Sequence, residues 1–250
     1  MGAEVIVFAN RKGGTAKSTS LLSVGSGLHR KGLRVLYIDT DSQGSLTFNL
    51  GVDPEEVTAS TAEVLTGSVT AEEAILETEE GSLIPASPRL YKVKFVEKDR
   101  IRRAIKPILD RFDFVLIDTA PARDLTLIAA LTASDSVIIP CEARKGSLDG
   151  LRLLYGTIQT VKKTSNPNLT TKGIVITRCR PRTLLVRDMR ENLQEAADAL
   201  DTRLFQTEIR DSIKIAEAEA LQQSIFKHAP RSKVAADYSA LIEEILERRQ

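Results

Sequence analysis

Lys12, Gly13, Gly14, Lys17 and Ser18 fall within one short stretch, NRKGGTAKSTS, which begins at Asn10. Glycines let a backbone approach an anion closely and take unusual φ, and successive N–H groups at a helix start bind phosphate. A lysine there supplies charge to β- and γ-phosphates, and a following hydroxyl can ligate Mg2+. Three carboxylates complete the set. Asp39 and Asp41, in YIDTDSQGS, project towards the same face because two residues separate them. Asp118 ends the apolar run of FDFVLIDTAP, where a carboxylate holds Mg2+ directly or through water. Asp110 and Asp113 read as solvated turn acids. These residue types describe phosphate and divalent-cation chemistry.

The loop departs from the strict pattern GxxxxGKS/T. Its first glycine would be Asn10 or Arg11, and its second is Ala16. An alanine in the first turn of a helix costs little, whereas one held at φ > 0 strains the loop. Phosphate binding is expected to survive, with affinity or turnover altered modestly.

Such a loop needs a strand before it and a helix after it. Apolar β-branched runs at 5–9, 34–39, 114–118, 136–140 and 173–177 read as strands covered on both faces, with weaker candidates at 82–86 and 203–209. Helical periodicity occupies 18–31, 100–111, 148–163, 185–200 and 232–249. Alternation of this kind predicts an α/β fold, a mostly parallel twisted sheet with helices on both faces. At 250 residues the chain suits one domain, 1–250, in which the polar stretch 51–75 is an elaboration with helical patches. In such sheets ligands bind at the carboxyl ends of the strands, the edge that carries all the residues above.

Composition narrows the partners. The formal net charge is +1, so any nucleic-acid surface must be local. Trp is absent and aromatics are scarce, which argues against base stacking. Cys141 and Cys179 fall in no ligand spacing and read as buried thiols of a reducing cytosol. No leader or membrane-length apolar run is apparent, so a cytoplasmic protein is expected.

KGGTAKST resembles the deviant Walker A box, KGGxxGKS/T, of the ParA/MinD class of P-loop ATPases. The resemblance implies ATP and Mg2+ as ligands, with residues 12–19 (Lys12, Gly13, Gly14, Thr15, Ala16, Lys17, Ser18 and Thr19) around the phosphates. It implies that Lys12 reaches across an ATP-dependent homodimer to the partner's phosphates. YIDTDSQGS resembles the family's DxDPQG box with Ser42 in place of proline, implying that Asp41 activates water and Asp39 supports Mg2+. IDTAP resembles hhhDxxP, implying Asp118 as a Mg2+ carboxylate and Thr119, Ala120 and Pro121 as a γ-phosphate-sensing loop.

The resemblance runs nearly end to end on the partition branch. Thr177 and Arg178 occupy the usual adenine-side strand end. TEIRDSIKIAEAEALQQSI, with Ile209 and Arg210, resembles a second base-side segment in which Arg210 and Glu219 stand where prolines are usual. Basic residues matching Arg182 and Lys214 contribute to nonspecific DNA binding in that family. Arg178, Arg180, Arg182, Arg187 and Arg190 crowd one stretch, as a phosphate-tracking surface requires. The same crowding also describes a solvated charged helix. The basic run between Arg89 and Arg111 reads as a charged helix first.

The expectation is a short-form partition ATPase without an operator-binding extension. It would be nucleoid-associated, hold double-stranded DNA as an ATP dimer, and be released by a ParB-like centromere-binding protein. Alternatives are a ParA-like ATPase positioning another cargo, a MinD-like membrane-cycling ATPase, and a metabolic phosphoryl-transfer enzyme. The apolar stripe Leu241, Ile242, Ile245 and Leu246 lies among Glu243, Glu244 and Glu247, which speaks for core docking and against anionic lipid.

Overall fold

A computed structural model describes residues 2–94, 96–121, 124–142, 144, 146–179 and 184–247, without the side chains of Asp124, Leu184, Leu185 and Arg187. Strand β1 (Glu4–Phe8) leads through the glycine-bearing loop into α1 (Lys17–Arg30), followed by β2 (Val35–Asp39), α2 (Ser45–Asn49) and α3 (Thr61–Thr66). Next come β3 (Leu76–Thr78), β4 (Gly81–Ile84), α4 (Arg100–Ile105), β5 (Phe114–Asp118) and α5 (Asp124–Ala133). The chain continues with β6 (Ser136–Glu142), α6 (Ser147–Thr164), β7 (Thr170–Cys179) and α7 (Leu184–Ala199). It closes with β8 (Leu204–Arg210), α8 (Ile213–Ala220), α9 (Ile225–His228) and α10 (Lys233–Leu246).

Among the described residues eight strands form one sheet in the order β3-β4-β2-β5-β1-β6-β7-β8. Every pairing is parallel except that of the short edge strand β3 with β4. Side chains alternate between the faces, and both faces are buried. Val5 and Val7 of β1 join a core roofed by α3 to α7, while Ile6 and Phe8 join one roofed by α1, α2, α9 and α10. That two-sided burial is why the strands read as continuous apolar runs.

The α10 stripe docks inward as expected: Leu241, Ile242 and Ile245 are buried in the second core. The helix expected over 100–111 divides. α4 ends at Ile105 and a 3-10 turn (Lys106–Arg111) replaces it, because Pro107 removes a donor. No helix of the described residues is long and apolar enough to cross a membrane.

Parallel register sets the chemistry. Phe8 of β1 and Asp39 of β2 both pair with Asp118 of β5, so the loop and two carboxylates meet at one sheet edge.

Candidate functional site

Asn10 anchors the loop. Its side-chain amide donates to Pro140 O at 2.7 Å, and its Oδ1 accepts the Lys12 N–H at 2.9 Å. From β7 the Thr177 hydroxyl donates to Thr15 O (3.0 Å) and the Arg178 guanidinium to Gly14 O (3.2 Å). With those carbonyls held from behind, the N–H groups of residues 13–16 donate to nothing among the described residues. Gly14 lies at φ 74, where glycine is at ease. Ala16 lies at φ 59 and ψ 36 and immediately precedes α1. The alanine therefore stands in the left-handed region, and the strained alternative is the one realised.

Residues 13–19 line a cleft of about 850 Å3 together with Asp41, Gln43, Pro121, Arg178 and Glu219. Lys17 is buried there, at 7% exposure. Burial lowers its pKa against the pull of Asp118 and Asp41. An ammonium with most of its water removed gains strongly from an incoming phosphate.

Behind the cleft, the Ser18 hydroxyl donates to Asp118 Oδ2 at 2.5 Å. Asp118 is fully buried, and its Oδ1 has no hydrogen-bond partner among the described residues. Burial first, then the neighbouring Asp39, holds its carboxyl well above the usual carboxylate range. A hydroxyl and an orphaned carboxylate oxygen are hard ligands of the kind Mg2+ takes, with waters and phosphate completing an octahedron. The residues fit that ion. No group of three or more His, Cys, Asp or Glu that could hold a metal occurs among the described residues.

Asp39 is engaged otherwise. Its Oδ2 accepts the Thr47 N–H (2.9 Å) and hydroxyl (2.7 Å), and its Oδ1 accepts the Asp41 N–H (3.0 Å). Its carboxyl is raised chiefly by burial, with these donors opposing. It fixes the 40–47 loop and does not line the cleft. Asp41 does line it, close enough to act electrostatically on Lys17. Of the expected sensing loop, Pro121 reaches the cleft, while Thr119 is buried and donates to Phe8 O at 2.9 Å.

A second cavity of about 280 Å3 opens beside Ala16, Thr19 and Arg178, lined by Ile209, Arg210, Ile213, Ile215 and Tyr238. Arg210 is clamped by Asp237 at 2.6 and 2.7 Å, so its guanidinium is fixed at the cavity wall. Thr177 serves the loop from behind and lines neither space.

Lys12 also lines neither space. Its stem lies against Gly150 of α6, where an added Cβ would sit 3.4 Å from Lys12 Cβ.

Arg178 is spent on the loop, and Arg190 is tied to Glu208 (3.0 Å) and Gln206 (3.1 Å) of β8. Arg180 and Arg182 lie outside the described residues, as does the Arg187 side chain. Lys214 is exposed and paired with Glu217 at 2.7 Å. Sequence reasoning gave Glu219 no part in the site, although its replacement of a usual proline was the available signal; it reaches both cavities.

A family described as an AAA domain matches residues 3–171. The chromosome-partitioning ATPase Soj of Thermus thermophilus is 33% identical over 98% of this chain and 96% of its own length. The sporulation initiation inhibitor protein Soj of Bacillus subtilis is 30% identical over 97% of this chain and 98% of its own. A crystal structure of cobyrinic acid a,c-diamide synthase from Mycobacterium smegmatis, with ADP and magnesium, superposes with a TM-score of 0.85 at 30% identity, covering 99% of this chain and 95% of that one. A strand-borne phosphate loop with two lysines, three carboxylates at the same sheet edge, and these full-length likenesses lead to one conclusion: the chain belongs to the ParA/MinD family of P-loop ATPases.

Proposed function

We propose that the chain is a DNA-partition ATPase whose ATP-bound form is a face-to-face dimer holding double-stranded DNA nonspecifically. The observation that carries this reading is the placement of Lys12, a phosphate-loop lysine outside its own phosphate cleft. A cation so placed stabilises triphosphate only where a second subunit brings its own phosphates to it.

Within each subunit, Lys17 and the free N–H groups of residues 13–16 bind the β- and γ-phosphates, with Thr19 flanking them. Ser18 and Asp118 hold Mg2+, which neutralises phosphate charge when bound, and Asp39 supports it by fixing the adjoining loop. Asp41 orients the attacking water. The cavity formed by Ile209 and Arg210 beside Arg178 takes the base, and Thr177 backs the loop. Lys214, with Arg182, contributes to the DNA face, where a phosphate replaces Glu217 as partner at little cost, exposed pairs being weak. A ParB-like centromere-binding protein would stimulate hydrolysis and release the DNA. The protein would then cycle between cytoplasm and nucleoid, without a membrane.

The likeness to the Mycobacterium smegmatis synthase supports a second reading, an ATP-dependent enzyme acting on a small molecule. Sedimentation with a nonhydrolysable ATP analogue separates them. Wild type should dimerise and Lys12→Ala should remain monomeric while binding nucleotide; Lys17→Ala should bind poorly. A Lys12→Ala dimer equal to wild type overturns the partition reading, and ATP turnover indifferent to DNA and dimerisation favours the second.

A further inference from the structure

The phosphate cleft and the second cavity share four wall residues: Ala16, Thr19, Arg178 and Glu219. A nucleotide with its phosphates on the loop and its base in the second cavity must lay its sugar across those four. Ala16 offers the sugar no polar side-chain atom. The Thr19 hydroxyl donates to Glu219 Oε1 at 2.6 Å, and Arg178 carries only donors, one of them given to Gly14 O. Glu219 is the charged acceptor among the four, a stronger one than the lone pairs left on the Thr19 hydroxyl. Its Oε2 accepts no hydrogen bond among the described residues, while the Thr19 contact holds the carboxylate at the junction.

We infer that Glu219 is a specificity-determining residue that reads the ribose hydroxyls, making the site selective for ribonucleotides over deoxyribonucleotides. A sugar hydroxyl is a donor, and a hydrogen bond from it to a carboxylate is charge-assisted. A deoxy analogue leaves that oxygen facing the sugar carbon without a donor and without full access to water. The position is one at which the resembled family motif carries a proline, so this acceptor belongs to this chain and comes with no role from the motif. The inference rests on the nucleotide reading of the cleft.

ADP, 2′-deoxy-ADP and 3′-deoxy-ADP, titrated calorimetrically with Mg2+, test it without interference from hydrolysis or ATP-driven association. Wild type should bind ADP about tenfold more tightly than the weaker-binding deoxy analogue, the effect of one charge-assisted hydrogen bond. Glu219→Ala should bring the three affinities together by weakening ADP, with deoxy binding kept. Glu219→Gln, which retains an acceptor oxygen, should keep part of the preference. Equal binding of all three by wild type overturns the inference even if no variant folds, and so does an undiminished preference in Glu219→Ala. Absence of any ADP binding by wild type instead strikes the nucleotide reading itself.

Discussion

Ala16 carries the main local conflict of the site. A residue with a Cβ in the left-handed region costs about 1–2 kcal/mol, partly offset because glycine loses more freedom on folding. Ala16→Gly is therefore expected to raise stability by about 0.5–1 kcal/mol in urea denaturation. Ala16→Val, β-branched at the same φ, should lower it by more than that. Equal midpoints for all three proteins would remove the strain. The substitution was plain in the sequence, yet its cost was not, because residue type alone leaves the dihedral undetermined. Asp118 was legible as a strand-end acid, but its orphaned oxygen is a product of packing. The cysteines give a second residue-scale expectation. Burial pushes both Cys141 and Cys179 up to about 12, so at pH 8 each stays a neutral thiol. A disulfide reagent should label neither in the native protein within the time it labels both in denaturant; rapid native labelling of either would contradict their burial.

Helix α1 shows how an element presents the site. It must lie close on the sheet to aim its first turn at the β1 loop, and Gly25 allows the approach. A Cβ there would lie 2.3 Å from Cε1 of Tyr37, a fully buried ring whose hydroxyl donates to Glu80 O. Gly25→Ala should cost at least about 1 kcal/mol, overpacking outweighing the gain in helix propensity. Gly156 of α6 is the control, since a Cβ there meets nothing within 4 Å. Gly156→Ala should stabilise by about 0.5–1 kcal/mol. The same sign for both substitutions would show that propensity, not approach, governs Gly25. The seven strands read from sequence are all present; burial on both faces gives the inner ones an unbroken apolar signature, while β8, an edge strand with Gln206 exposed, carries a weaker one. β3 was missed because a three-residue polar edge strand has no such signature. α5 was missed for the opposite reason: DLTLIAALTA lacks a polar face over most of its length, so no helical period stands out.

At the scale of the whole molecule, near-neutral charge means that the proposed DNA binding would depend on which cations are free. Arg190 is half-buried and tied to β8, so Arg190→Ala is expected to lower stability while leaving DNA affinity nearly unchanged. Lys214 is exposed, and its partner among the described residues, Glu217, also meets His228 at 2.9 Å, so that carboxylate would keep a contact if the lysine turned to a phosphate. Lys214→Glu should therefore weaken binding of the ATP-bound protein to unrelated duplexes alike, while ATP-dependent dimerisation in sedimentation persists. Each phosphate contact contributes about 0.9 to the slope of log affinity against log salt, and a symmetric dimer presents each lysine twice. Loss of Lys214 should thus flatten that slope by about 2, measured by fluorescence anisotropy between low and moderate salt. ADP-bound protein, presenting one copy of the surface, should bind far more weakly. An unchanged slope in Lys214→Glu would move the DNA face elsewhere on the molecule, and a wild-type ATP dimer indifferent to DNA would turn the same engine towards another cargo.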